Sequence, residues 1–142
     1  YQVQRYVNRI SGPLLDRMDL FVEVRRIEYD DLVVAPHTDN TFSTRERINR
    51  AREIQLQRFT SKNHFTNASL GPADIKRYCQ TTSAGENLLK TEFDKMKLSA
   101  RGYHKILKVS RTIADLDDSS MIEQHHVAEA LQFRTLHHFK RR

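Results

Sequence analysis

The chain contains one short apolar run that is typical of a buried strand, LFVEV at residues 20–24. A nearly continuous apolar strand of this kind usually lies in a sheet whose two faces are both covered. Such a strand needs partner strands, and no other convincing strand pattern follows it. We therefore expect the sequence to begin in the middle of a larger α/β domain.

Two further segments flank this strand. Apolar residues recur at helical spacing across residues 1–10, and Ser11-Gly12-Pro13 ends that predicted helix. Residues 28–43 contain Pro36 and a polar run, which indicates a linker. The predicted division is a remnant of an α/β core at 1–27, a linker at 28–43 and a helical domain at 44–142.

The pattern after residue 44 predicts a bundle of helices joined by short loops. A first helix is expected at about 44–60, with Ile48, Ala51, Leu56 and Phe59 on its inner side. Gly71-Pro72 opens a shorter helix with Ile75 and Tyr78 facing inward. Thr82 or Ser83 begins the next, whose apolar stripe is Leu89, Phe93 and Met96.

Two more helices complete the predicted bundle. One starts at Ser99 and continues to about Leu116, with an apolar face made of Tyr103, Ile106, Leu107, Ser110, Ile113 and Ala114. The last is expected to open at Ser120, because Ser120-x-x-Glu123 is a capping-box pattern. Its inner face consists of Val127, Ala130 and Leu131.

Composition narrows the function classes. No run of eighteen apolar residues and no signal-peptide pattern occurs, so we expect a cytoplasmic protein with no membrane insertion. Cys79 is the single cysteine, which predicts an inert, buried or half-buried thiol. The net charge of +6 allows a nucleic-acid partner but only weakly indicates one, because basic and acidic residues are mixed through most of the chain.

Arg101 is in an unusual position for an arginine. It lies in the first turn of the helix that starts at Ser99, on the side away from the apolar face. A positive charge there opposes the helix dipole by about 0.3–1 kcal/mol. A bound anion would make that charge favourable, and Gly102 would let such a ligand approach the backbone. From these features alone, a solvated surface arginine is the simpler interpretation.

Arg17 lies just before the apolar run, between Asp16 and Asp19. These acids can neutralise it locally, and an ion pair in solvent contributes only about 0–1 kcal/mol. A short turn before a strand also holds its residues rigidly, which suits a side chain that must reach across an interface. The residues alone favour the surface ion pair.

Four blocks of sequence together resemble one family. They are QVQRYVNRISGPLLDRMDLFVEV, TRERINRAREIQLQRF, LSARGYHKILKVSRTIADL and HHVAEALQFR, in that order over nearly the whole chain. They are similar to the magnesium-chelatase-like AAA+ ATPases of bacteria, of the ComM/YifB type. The resemblance implies a mostly α fold, in which a helical lid domain is preceded by the last helix and strand of an α/β ATPase core.

The resemblance also implies roles for both arginines. Arg17 matches the arginine finger, which reaches the γ-phosphate of ATP in the adjacent subunit, and Arg101 matches the sensor-2 arginine, which the lid presents to a nucleotide phosphate. The implied cofactors are ATP and Mg²⁺, and the implied partners are identical subunits in a ring, expected to be a hexamer. Such rings act on DNA in branch migration or insert magnesium into a porphyrin.

This sequence departs from the family by what it lacks. It contains no G-x-x-x-x-G-K-[ST] phosphate loop and no acidic magnesium-binding segment after a strand. We therefore expect no ATP hydrolysis by this chain alone, and no tight binding of either cofactor.

Two other classes of function are compatible with parts of the sequence. A stand-alone basic helical module could bind nucleic acid through Arg101, His104, Lys105 and Lys108, which share a helix face. A metal site or hydrolase could use the pairs His125-His126 and His137-His138, although the rings of adjacent residues on a helix are expected to diverge. Neither H-E-x-x-H nor a nucleophile elbow is present.

Overall fold

The computed structural model describes Leu14, residues 16–22, Val24, Arg26, Tyr29, residues 41–59 and residues 66–134. These residues form helices and turns, and the only β pairing among them is one isolated bridge between Thr81 and Ile122. The helices are α1 (Thr41–Arg58), α2 (Pro72–Tyr78), α3 (Ser83–Met96), α4 (Ala100–Leu116) and α5 (Gln124–Gln132), with a 3₁₀ turn at Asn67–Ser69. None of the helices in this part of the chain is long and apolar enough to cross a membrane.

Residues before each helix explain where α2, α3 and α4 begin. Gly71 precedes Pro72, which occupies the first turn of α2 and needs no hydrogen bond there. Thr82 caps α3 by accepting the Gly85 amide at 3.3 Å, and Ser99 caps α4 in the same way. These three helix starts agree with the sequence prediction.

The start of α5 differs from the prediction. The helix does not open at Ser120, because the backbone of Ile122 is extended and pairs with the segment before α3. The Ile122 amide donates to the Gln80 carbonyl, and the Ile122 carbonyl accepts from the Thr82 amide, at 2.9 Å each. The N-cap is Glu123, whose amide donates to Nδ1 of His126 at 2.9 Å. The capping pattern therefore lies three residues later than the sequence indicated.

α4 is the centre of the bundle. It packs against α1, α2, α5 and the 3₁₀ turn, while α3 packs against α5. Its predicted apolar face is buried except for Tyr103, which is half-buried, and Ile106 and Ala114 are fully enclosed. Val127 and Ala130 of α5 are also fully enclosed, as predicted.

The inner side of α1 was predicted only in part. Ala51 and Phe59 are buried, but Ile48 and Leu56 are 49% and 55% exposed. Gln55 is buried instead, and its side-chain carbonyl accepts the amide of Asn67 at 3.3 Å. The helix is turned because it packs on α4 through polar side chains rather than through an apolar stripe. It also begins at Thr41, inside the predicted linker.

The predicted strand is not formed in the part of the chain that the structure describes. Residues 20–22 and 24 have no sheet partner there, and Leu20, Val22 and Val24 are exposed. The amide of Phe21 donates to the carbonyl of Phe133 at 2.8 Å instead. An apolar segment without partner strands therefore lies on the helical domain. The helix predicted at residues 1–10 and most of the linker lie outside the described residues, and the domain boundaries stay predictions.

Candidate functional site

Arg17 lies in a tight turn. Its amide donates to the carbonyl of Leu14 at 3.0 Å, and its side chain is exposed with no partner among the residues that the structure describes. The neighbouring acids do not neutralise it. Asp16 binds Ser99, and Asp19 lies 2.8 Å from Nζ of Lys105. The local ion pair that the sequence favoured is therefore absent from these residues.

The Arg17 turn lies against the N-terminal end of α4. Oγ of Ser99 donates to Oδ2 of Asp16 at 2.9 Å. Nζ of Lys105 donates to the backbone carbonyl of Arg17. Both contacts join residues more than eighty positions apart in sequence, and no local pattern indicates them.

Arg101 lies in the first turn of α4, as predicted. It is exposed and has no side-chain partner in the described part of the chain. The expectation for Gly102 is wrong in detail. The glycine is buried, and a Cβ there would lie 3.5 Å from Nη2 of Arg134 and 3.4 Å from Oγ of Ser99. The space beside the glycine admits a side chain of this protein rather than an incoming ligand.

The structure thus brings the two predicted site residues to one region. The backbone of Arg17 is held by Lys105, one turn along α4 from Arg101. Both guanidinium groups are exposed at this end of the helix. The helix dipole and the guanidinium of Arg101 together favour an anion such as a nucleotide phosphate at the start of α4.

A buried polar network joins α1 to α4, and the sequence analysis missed it. Asp115 is fully buried and accepts hydrogen bonds from Arg58 (2.9 Å), Arg111 (3.0 Å) and Asn67 (2.8 Å). Burial lowers the pKa of Arg111, partly offset by the attraction of Asp115. Arg111 and Asp115 are four residues apart on α4, the spacing of an ion pair along a helix, which is the sequence signal that could have revealed this pair. The network stabilises the packing of α1 on α4.

The prediction that the His125 and His126 rings diverge is wrong. Their ring centroids lie 3.9 Å apart, and Nε2 of each ring approaches Oδ2 of Asp117, at 3.8 Å and 3.4 Å respectively. The rings converge because His126 turns back to accept the Glu123 amide at the start of α5.

This cluster is a poor set of metal ligands despite its compactness. Since Nδ1 of His126 accepts a hydrogen bond, the neutral ring carries its proton on Nε2, which then offers N–H rather than a lone pair to the centre of the cluster. Burial, followed by the proximity of His125, lowers the pKa of His126 and so favours that neutral ring. His137 and His138 lie outside the described residues.

Two of the four residues proposed as a basic surface are engaged within the chain. Lys105 contacts the Arg17 turn, and Nζ of Lys108 donates to the carbonyl of Ala68 at 2.9 Å. The ion pair with Asp19 offsets the charge of Lys105, and the bond to Ala68 occupies a donor of Lys108 that a phosphate would otherwise use. Cys79 is buried, and burial raises its pKa to about 11, in agreement with an inert thiol.

Comparisons with known proteins agree with this architecture. The family model described as "Magnesium chelatase, subunit ChlI C-terminal" matches residues 38–134, and the model "Magnesium chelatase, subunit ChlI" matches residues 1–32. The two matches meet inside the predicted linker.

Relatives match almost the whole chain. Competence protein ComM of Haemophilus influenzae is 40% identical over 136 residues, which is 95% of this chain and 26% of the relative. The uncharacterized protein YifB of Escherichia coli is 35% identical over 137 residues, again 95% of this chain and 26% of the relative. The chain thus spans about a quarter of the length of these relatives. With a family model over residues 38–134 and relatives at this identity, the chain belongs to the magnesium chelatase family, as a C-terminal portion of the ComM/YifB type.

Proposed function

We propose that this chain is the C-terminal part of a ring-forming AAA+ ATPase and supplies two arginines to its nucleotide sites. Arg17 is the arginine finger that acts on ATP held by the neighbouring subunit. Arg101 is the sensor-2 residue that contacts the nucleotide of its own subunit. The observation that carries the proposal is the pair of exposed guanidinium groups at one end of α4, neither of them paired with a described residue.

The chemistry of ATP hydrolysis explains why arginines serve here. Transfer of the γ-phosphoryl group to water develops charge on the transferred oxygens, and a finger arginine stabilises that charge by about 10³–10⁵ in rate. The turn at Arg17 fixes its backbone, so the side chain can be presented with little loss of entropy. Mg²⁺ neutralises phosphate charge in such reactions, but this sequence has no segment for holding it.

Arg101 is proposed to contact bound ATP already in the ground state, before the phosphoryl group is transferred. At the end of α4 it can bind a phosphate while the core of the bundle fixes that helix, so nucleotide binding and loss would rotate the lid as a unit. The hinge is expected in the linker at 28–43.

The motion is proposed to drive DNA remodelling, such as branch migration, or metal chelation. One relative is named a competence protein, and the family description is magnesium chelatase. The net charge of +6 is in keeping with a DNA partner. The proposed assembly is a hexameric ring of identical subunits.

The proposal is tested by ATP turnover of the full-length protein with Arg17→Ala. Turnover should fall by about 10³-fold or more, while Arg52→Ala should leave it unchanged. Arg52 is the matched control, because it is also an exposed arginine without a partner in the described part of the chain. Normal turnover by Arg17→Ala would make Arg17 a surface residue.

The alternative function is a stand-alone nucleic-acid-binding helical module. It requires this chain by itself to bind duplex DNA, with an affinity that falls steeply as salt is raised. We expect weak binding, because Lys105 and Lys108 are engaged within the chain. Tight, salt-sensitive binding by the chain alone would favour the alternative.

A further inference from the structure

The turn that carries Arg17 is held by side chains to which the proposed function gives no role. Ser99 donates to Asp16 at 2.9 Å. Nη1 of Arg134 donates to the carbonyl of Met18 at 2.6 Å, and its Nη2 lies 3.6 Å from Oδ1 of Asp16. The contacts therefore come from the start of α4 and from the residues after α5, and two of them converge on the carboxylate of Asp16.

Arg134 is nearly buried, and its described partners lie in this one segment. Its side chain is 8% exposed, and its guanidinium lies 5.8 Å from the centre of the Phe21 ring. Every described partner of that guanidinium is at Asp16, Met18 or Phe21. A buried guanidinium is costly without partners. If the segment left, Arg134 would lose the groups that satisfy it.

Ser99 makes two contacts at once. Its Oγ accepts the Gly102 amide at 3.0 Å, which caps the helix that bears Arg101, and it donates to Asp16 of the Arg17 turn. A shift of this helix end must therefore either move the turn or break the bond to Asp16.

We propose that Asp16, Ser99 and Arg134 form a latch that positions Arg17. The latch fastens Arg17, the proposed arginine finger, to the helix end that carries Arg101. The contact of Arg101 with the nucleotide of its own subunit therefore sets the position of Arg17 at the nucleotide site of the neighbouring subunit. Asp16, Ser99 and Arg134 are positioning residues, and the inference rests on the proposed roles of Arg17 and Arg101.

The latch is tested first without any activity, by hydrogen–deuterium exchange of the full-length protein. The amide of Phe21 is bonded to the carbonyl of Phe133 while the segment is docked. In Asp16→Ala and Arg134→Ala, a peptide covering Phe21 should exchange about tenfold faster, as expected for loss of a hydrogen bond to a charged group. Asp94→Ala is the matched control, because Asp94 is an exposed acid on α3 without a side-chain partner in the described residues. Unchanged exchange in both latch variants would overturn the proposal.

Steady-state kinetics then separate positioning from general damage. Asp16→Ala leaves the Ser99 cap of α4 in place, and its side chain is 40% exposed, so folding should be preserved. We expect kcat for ATP to fall about 10–100-fold with KM little changed, since a displaced finger acts on the transition state. Ser99→Ala should also lower kcat, and Ser99→Thr, which keeps the hydroxyl, should restore it.

The outcomes distinguish the latch from the function on which it rests. If Arg17→Ala is inactive but Asp16→Ala and Arg134→Ala both keep full kcat, the latch is wrong and the finger stands. If Arg17→Ala itself keeps full turnover, the finger assignment fails, and with it the role of the latch in positioning a finger. A double variant, Asp16→Ala with Arg134→Ala, should be no slower than the slower single variant, because both changes release the same turn.

Discussion

Arg17 and Arg101 are not the only exposed arginines of this protein. Arg45 and Arg52 on α1 are also exposed and have no partner in the described part of the chain, so exposure alone does not mark a functional residue. Arg17 and Arg101 differ from these arginines in the backbone structure that positions them. Arg17 lies in a turn that Ser99 and Arg134 hold through Asp16 and Met18. Arg101 lies at a capped helix start, where an anion is favoured.

Arg101→Ala is predicted to weaken nucleotide binding in the full-length protein. Because the guanidinium is proposed to contact a phosphate of bound ATP, its loss should raise KM for ATP about tenfold, the effect of about 1.4 kcal/mol of lost binding. Arg45→Ala is the control and should leave KM unchanged. A variant Arg101→Ala with normal KM and normal kcat would remove Arg101 from the site.

Cys79 is predicted to react slowly while the chain is folded. Its pKa is raised from 9.0 to about 11 by burial, so at pH 8 its thiolate fraction is about 100-fold below that of a free thiol. Because the folded state holds the proton more tightly, this group contributes stability below pH 9 that is lost as the pH rises towards 11. Iodoacetamide labelling at pH 8, followed by mass spectrometry, should be at least about 100-fold slower in the native chain than in urea. Equal rates would show an accessible thiol.

At the scale of elements, sequence patterns predicted the helices well where packing is apolar and local. The caps at Thr82 and Ser99 and the apolar face of α4 follow from short-range rules, and the structure confirms them. The patterns failed where a distant residue decides the outcome. The start of α5 depends on pairing between Ile122 and the segment before α3. The rotation of α1 depends on polar contacts with α4 and the 3₁₀ turn.

The candidate site shows the same division. The residues alone favoured surface positions for Arg17 and Arg101, and it was the resemblance to the family that assigned them roles. The contacts that hold them could not be predicted from the sequence. Asp16 and Ser99 are 83 residues apart, and Arg134 and Met18 are 116 apart, which no periodicity connects.

Among the polar contacts of the bundle, the network at Asp115 is predicted to lower the stability of the fold most when it is broken. Asp115→Asn removes the only negative charge that Arg58 and Arg111 share in the described residues, which should cost about 3–5 kcal/mol because two buried cations remain. Asp118→Asn is the matched control. That aspartate pairs with Arg50 at the surface, so its loss should cost less than about 1 kcal/mol. Urea unfolding followed by circular dichroism measures both, and similar midpoints for the two variants would contradict the network's role.

At the scale of the whole molecule, the chain is a helical domain with a docked segment that carries the exposed Arg17. The exposed apolar residues Leu20, Val22 and Val24 follow the Arg17 turn directly. The resemblance assigns this segment to the last strand of an α/β core, while the described residues show it fastened to the lid. If Arg17 acts as the proposed arginine finger, the helical domain and Arg17 are therefore expected to move together.

The most direct test of the central claim is ATP turnover in mixed rings of the full-length protein. Arg17→Ala subunits are mixed with subunits disabled in the phosphate loop, each nearly inactive alone. In mixed rings an intact Arg17 lies beside an intact nucleotide site, so partial recovery of turnover is predicted. If subunits are shown to exchange and no turnover returns, Arg17 does not act across the subunit interface.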